Sequence, residues 1–225
     1  MTQRSALIFG STGLTGSELL KKLLDSGFYH NVKAFVRKPL KISHPLLEQI
    51  IVDFDHLEKI SDQIKGDDLY LCLGTTMAKA GSKEAFYKVD FTYTINVATI
   101  AKANGVKQVL LISSMGADKK SLIYYSKVKG KVENALAKLG FNSLSIIRPS
   151  LLLGDRKESR FGEKMATKFS DIFSGLLIGP LKKYKPITAS NVAEAMLKIG
   201  HKDIPGKSIY ESDRLEFMAK SFAGV

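Results

Sequence analysis

The chain is poor in the residues that build disulfide frameworks and metal sites. Its 225 residues include one cysteine, Cys72, and four histidines. A single thiol cannot close a disulfide within the chain. Cys72 stands in an apolar run with no paired base in view, so it reads as a buried core thiol rather than a nucleophile. His30, His44, His56 and His201 show no metal-ligand spacing, and no metal is assigned. Long hydrophobic runs are missing too. The longest apolar stretches are too short to span a bilayer, and the GxxxG pair Gly175 and Gly179 lies in one of them. The start of the chain carries no secretory h-region, so a cytoplasmic location without membrane association is expected. Acidic residues are outnumbered, 22 against 34 Lys and Arg, for a net charge of +12. The lysines are spread along the chain in doublets such as Lys21-Lys22, Lys119-Lys120 and Lys182-Lys183. No helix-turn-helix, zinc-finger or RNP signature accompanies them, so nucleic acid is not the expected partner. The basic field suits an anionic cofactor or substrate.

What is present is an alternation. Ser5-Ala6-Leu7-Ile8-Phe9 is a short apolar strand, and residues 17–25 carry apolar positions at helical spacing. Further strands are expected at Val32–Val36, Gln49–Val52, Asp67–Gly74, Val106–Ser113 and Ser143–Arg148. Helical patterns lie between Phe86 and Asn104, closed by Gly105, and over Tyr124–Leu139, stopped by Gly140. A helix over Asn191–Gly200 and a short strand at Ser208–Tyr210 follow. Apolar strands that alternate with helices imply a parallel sheet covered on both faces. Tyr29 is read as loop, and Lys33 as strand.

Between the first strand and first helix runs Gly10-Ser11-Thr12-Gly13-Leu14-Thr15-Gly16. Glycines at a strand-to-helix turn permit a tight bend and a close approach of backbone to ligand. The helix N-terminus then offers N–H groups and a positive dipole end to a pyrophosphate. The expected fold is therefore α/β: a doubly wound, mostly parallel Rossmann sheet forming one nucleotide-binding domain over 1–225. Residues 151–190 lose the alternation and carry many glycines and prolines. They are expected to form a lid or substrate-side appendage.

A second constellation carries chemistry. The fifth strand ends in Ser113-Ser114-Met115-Gly116, and the next helix carries Tyr125 and Lys129. Spacing of four puts both on one helix face, and a nearby ammonium favours the phenolate form. Tyr125 is thus a candidate proton donor to a carbonyl receiving a hydride, with a serine hydroxyl on the same oxygen. Side chains alternate along a strand, so only one serine can face the site; Ser114 is chosen. Tyr29 and Lys33 have the same spacing but no such context.

These stretches, with Val36-Arg37-Lys38, Val52-Asp53-Phe54, Cys72-Leu73-Gly74-Thr75-Thr76, Lys88-Val89-Asp90, Arg148-Pro149 and residues 155–160, resemble the atypical short-chain dehydrogenase/reductases. The match is nearest to the HIV-Tat-interacting oxidoreductase-like group, and looser to nucleoside-diphosphate-sugar epimerases and NmrA-like proteins. The resemblance covers most of the chain. It implies an NADP-binding Rossmann fold, with Tyr125 and Lys129 in the catalytic positions. It also implies that Leu152 and Arg160 lie near the cofactor, which the glycine turn, Leu73 and Gly74 would hold.

Other residues carry two readings each. Asp53 either accepts a hydrogen bond from adenine or starts a turn. Thr75, Thr76 and Lys79 either line the nicotinamide ribose or form a solvated loop. Asn96 either bridges backbone and the active-site lysine or is a surface residue. Phe161, Phe169, Phe173, Leu176 and Leu177 are core, pocket wall or oligomer contact. Arg37-Lys38 stands where a protein selective for NAD places an acid, and a guanidinium there suits a 2′-phosphate. The expected function is an NADP-dependent oxidoreductase acting on a small carbonyl or alcohol, with Ser114, Tyr125 and Lys129 as the catalytic set. The alternatives are a non-catalytic NADP-binding regulator with a protein partner, and an epimerase-like enzyme.

Overall fold

A computed structural model describes residues 4–154 and 179–221. Arg160, the polar run before it and the apolar positions 161–177 lie outside the described residues, with most of the 151–190 segment.

Nine strands are described: β1 (Arg4–Phe9), β2 (Tyr29–Val36), β3 (Leu47–Ile51), β4 (Asp68–Leu71), β5 (Gln108–Ile112), β6 (Ser143–Arg148), β7 (Leu152–Leu153), β8 (Ile187–Thr188) and β9 (Gly206–Glu211). Seven form one sheet in the order β3-β2-β1-β4-β5-β6-β9. Every neighbouring pair in it is parallel. The chain starts at β1, winds outward to β3, then returns to β4 on the other side of β1. That reversal opens a crevice beyond the carboxyl ends of β1 and β4, where open α/β sheets bind ligands.

The helices are α1 (Leu14–Asp25), α2 (Met77–Ala80), α3 (Lys83–Tyr87), α4 (Thr94–Ala103), α5 (Tyr124–Lys138), α6 (Ala189–Lys202) and α7 (Ser212–Lys220). Alternation along β1 sets the two cores. Ala6 and Ile8 pack with Leu19, Leu23, Val192 and Met196 of α1 and α6. Leu7 and Phe9 pack on the opposite face with Val97, Ala101, Val132 and Leu136 of α4 and α5. Both faces are thus apolar, which is why the strands read as continuous hydrophobic runs. Among the described residues no helix is long and apolar enough to cross a membrane.

The structure corrects several expectations. Tyr29 is the first residue of β2 and is buried, not loop. Its hydroxyl donates to Asp68 and meets the Tyr70 hydroxyl, each at 2.8 Å. Asp68 is in turn held by Arg4 and Gln108, so a polar cluster draws Tyr29 into the amino end of the sheet. The long helix between Phe86 and Asn104 starts earlier, at α3, and passes through a π-helical stretch, Lys88–Tyr93, before α4. Helix α7 and the small parallel pair β7–β8 were not anticipated.

Candidate active site

The glycine turn is built by close approach. Gly10 has φ +89°, a region side chains disfavour. A Cβ on Gly10 would lie 2.4 Å from the Cys72 carbonyl oxygen, and one on Gly16 would lie 2.1 Å from the carbonyl oxygen of Gly10. Only bare backbone lets α1 start this close to β1 and β4. Gly13 is extended and supplies no side-chain cap to α1. The first N–H groups of the helix are therefore left for a ligand. Ser11 is buried beneath the turn, and its Oγ finds no hydrogen-bond partner among the described residues.

Above the turn opens a cleft of about 830 Å³, within the range of small-molecule sites. Thr12, Gly13, Leu14, Thr15 and Gly16 form one wall, and Leu73, Gly74, Thr75, Thr76 and Lys79 another. Tyr125, Lys129, Ser113 and Leu152 close it. Thus most sequence-selected residues converge on one cavity. Its described wall holds two lysines and no carboxylate. These features fit a dinucleotide phosphate: glycines a Cβ would clash with, an uncapped helix start and cationic walls. Cys72 also lines the cleft, so it is a wall residue and not only core. Burial pushes its thiol up to about 12.

Helix α5 carries Tyr125 and Lys129 on one face. The Tyr125 ring packs 5.7 Å from the buried Phe86 ring, and Lys129 Nζ lies 5.9 Å from the Tyr125 centroid. Lys129 is paired with Asp90 of the π-helical stretch, Nζ to Oδ1 at 2.7 Å, and both side chains are buried. Burial is the largest influence on Lys129 and disfavours its ammonium, but Asp90, Tyr125 and Glu133 together outweigh it and hold the lysine above its ordinary value. The other Asp90 oxygen accepts from the Thr75 N–H at 2.9 Å. One carboxylate therefore ties the lysine to the loop after β4. Asn96, the sequence candidate for that bridging role, is exposed on α4 and takes no part in it.

The two serines differ in what their hydroxyls do. Ser113 lines the cleft, but its Oγ donates to Glu133 at 2.5 Å. Glu133 also accepts from Arg148 Nε at 2.9 Å and Nη2 at 2.5 Å, and these bonds hold the guanidinium above its ordinary value. Ser114 is not on the described wall; its Oγ is buried without a partner among the described residues. The Ser113 proton is spent, and the Ser114 hydroxyl is not.

Some selected residues stand apart from the cleft. Asp53 Oδ1 accepts from the Asp55 N–H, and its carbonyl from the His56 N–H, each at 3.0 Å, so Asp53 starts a turn. Arg37 and Lys38 are exposed just past β2 and off the cleft wall. Because Phe35 is in register with Phe9, they flank the glycine turn on the neighbouring strand. Thr76 caps α2, its Oγ1 accepting from Lys79 N–H at 3.1 Å. Asp90, Ser113, Glu133 and Arg148 were not selected for the site. The first and last stood in stretches that carried the family resemblance, but no spacing joins Asp90 to Lys129.

A glycine turn at the carboxyl end of a parallel sheet, beside the reversal of strand order, defines a Rossmann-type nucleotide-binding protein. The chain belongs to the NAD(P)H-binding family, which it matches over residues 10–202, and within it to the atypical short-chain dehydrogenase/reductases. It is similar to protein HTATIP2 of Rattus norvegicus, 41% identical over 173 residues that cover 75% of this chain and 71% of the rat protein. It is also similar to the mitochondrial protein FMP52 of Candida albicans, 36% identical over 209 residues and 90% of each chain. Among solved structures, UDP-N-acetylglucosamine 4-epimerase from Methanobrevibacter ruminantium M1 shares the fold, with a TM-score of 0.70 at 16% identity. That match covers 94% of this chain and 77% of the epimerase.

Proposed function

We propose that the protein is an NADP-dependent oxidoreductase acting on a small carbonyl or alcohol. The observation that carries this reading is the single cleft whose walls hold both the glycine turn and the Tyr125–Lys129 pair. When bound, the nicotinamide cofactor supplies or takes up the hydride. In the reducing direction Tyr125 gives its phenolic proton to the substrate oxygen as the hydride reaches the carbon, leaving an alcohol. Lys129, fixed by Asp90, keeps a positive charge beside the tyrosine and the ribose. Ser114 keeps the uncommitted hydroxyl, and it would reach the substrate oxygen only by turning its buried Oγ onto the cleft wall. The glycine turn holds the pyrophosphate, and Arg37 and Lys38 take the 2′-phosphate.

One observation favours a second reading, a cofactor-binding regulator: the Lys129 charge is already offset by Asp90. A panel of aldehydes and ketones, followed as NADPH consumption, separates the two. Turnover with at least one carbonyl compound is expected. Tight NADP binding by calorimetry with no turnover across the panel would establish the regulator instead.

A further inference from the structure

Ser113 lines the cleft together with Tyr125 and Lys129, yet it has no proton to offer there. Its hydroxyl has one hydrogen, and its Oγ bonds to Glu133 Oε1 at 2.5 Å. A carboxylate accepts and does not donate, so the hydrogen in this bond comes from the serine. The acceptor is held in place. Glu133 is buried on α5 and takes two bonds from Arg148, Nε at 2.9 Å and Nη2 at 2.5 Å. The serine backbone is fixed as well, its N–H donating to the Ile147 carbonyl at 2.8 Å. Ser113 is 4% exposed, so little water competes for its hydroxyl.

What remains on Ser113 Oγ is its lone pairs. A carbonyl oxygen brought to it sets lone pair against lone pair, whereas an O–H or N–H completes a hydrogen bond. Tyr125 has the opposite character, because its phenol donates. The two are linked through α5. Tyr125, Lys129 and Glu133 follow at four-residue steps and share one helix face, and the Glu133 charge is among those that favour the Lys129 ammonium. One face of α5 thus presents a donor to the cleft and, through Glu133, fixes a wall serine as an acceptor.

We infer that Ser113 is a specificity residue that accepts a hydrogen bond from the ligand. The substrate is then a carbonyl compound with a hydroxyl on the neighbouring carbon, the carbonyl oxygen at Tyr125 and the hydroxyl at Ser113. The inference rests on the oxidoreductase reading and adds the substrate class. The carboxamide N–H of the nicotinamide is the other donor that this chemistry allows, and the experiment separates the two.

Hydroxyacetone, butanone and methoxyacetone differ in the group beside the carbonyl: an O–H, a methyl, and an ether oxygen that accepts but does not donate. Their reduction by the full-length protein is followed as NADPH consumption, with Ser113→Ala alongside. Arg148 keeps Glu133 paired in that variant, so the fold is retained. Hydroxyacetone should lead both other ketones roughly tenfold in kcat/KM, because they leave the buried Oγ without a donor. The lead should vanish in Ser113→Ala. The ether withdraws electrons much as the hydroxyl does, so a lead over methoxyacetone reports the hydrogen and not carbonyl reactivity. Equal rates in the unmodified protein overturn the inference, and so does a lead that the variant preserves. If there is no lead and the variant loses NADP affinity by calorimetry, the donor is the carboxamide and the substrate assignment falls. Calorimetric binding of 1,2-propanediol, 2-butanol and 1-methoxy-2-propanol to the NADP-loaded protein reads the same preference without turnover. If no ketone is reduced but the diol is preferred and the variant abolishes the preference, the oxidoreductase reading fails and the acceptor site stands. Ketone turnover at equal rates with no diol preference sinks only the acceptor site. Neither turnover nor diol preference overturns both.

Discussion

At the residue scale the roles of Tyr125 and Lys129 separate cleanly. Tyr125→Phe keeps the ring against Phe86 and removes only the hydroxyl. It should lower kcat by ~10²–10⁴-fold and leave NADP affinity unchanged by calorimetry; a fully active Phe variant would make Tyr125 structural. Lys129 cannot be removed so quietly. Lys129→Met strands Asp90, which is buried with a backbone N–H as its remaining partner. Breaking a buried pair from one side costs about 3–5 kcal/mol. Asp90→Ala should be about as damaging in urea denaturation, and the double variant should recover part of the loss. Additive losses would mean that the pair is not coupled. Cys72 gives a second prediction. With its thiol pushed up to about 12, far above the ordinary ~8.5, only the rare thiolate reacts. Iodoacetamide labelling should be slow at neutral pH and climb tenfold per unit up to about pH 10, because thiolate fraction rises tenfold per unit below the pKa. NADP should protect it, since Cys72 lines the cleft. Fast labelling at pH 7, or labelling indifferent to NADP, would refute this.

At the element scale the junction of β1 and α1 decides whether a phosphate can be held. Gly16→Ala places a methyl 2.1 Å from the Gly10 carbonyl oxygen. The methyl is fixed to the helix backbone and the oxygen it meets is itself backbone, so α1 must move. Overpacking of this kind costs about 1–3 kcal/mol, and the displaced helix start should also weaken NADP binding at least tenfold. Unchanged affinity would remove the turn from the site. The junction was legible because glycine spacing records backbone contact directly. So were β6 and α5, stopped by Pro149 and Gly140. The π-helical stretch was not, because a shift from i−4 to i−5 bonding leaves the apolar spacing nearly intact. The choice between Ser113 and Ser114 could not rest on alternation, for a related reason. Strand alternation was applied beyond its range, since β5 ends at Ile112. Past that point the hydroxyl of each serine is decided by tertiary partners such as Glu133. Strands β7 and β8, two residues each, are too short to carry a period.

At the scale of the whole molecule, the sheet order and the charge act together. Strand reversal beside β1 puts the glycine turn and the end of β2 on one rim, and the chain carries +12 overall. A rim with exposed Arg37 and Lys38 should distinguish two dinucleotides that differ by one phosphate. A ligand that binds only the folded state stabilises it by RT ln(1 + [L]/Kd), about 2.7 kcal/mol at a hundredfold excess over Kd. For a chain of this length that is a rise in Tm of roughly 5–10 °C. NADP should produce such a shift at concentrations where NAD produces little, because a charge-assisted bond to the 2′-phosphate adds about 1.5–3 kcal/mol. Raised salt should narrow the difference, as the contact is exposed and screened. Arg37→Ala should bring the NADP shift down to that of NAD and leave the unliganded Tm within error, since Arg37 is exposed. Thermal scans of both proteins with both nucleotides, at low and high salt, measure all of this at once. Equal shifts for NAD and NADP in the unmodified protein would mean that β2 ends in two solvated cations and that cofactor choice is made elsewhere on the chain.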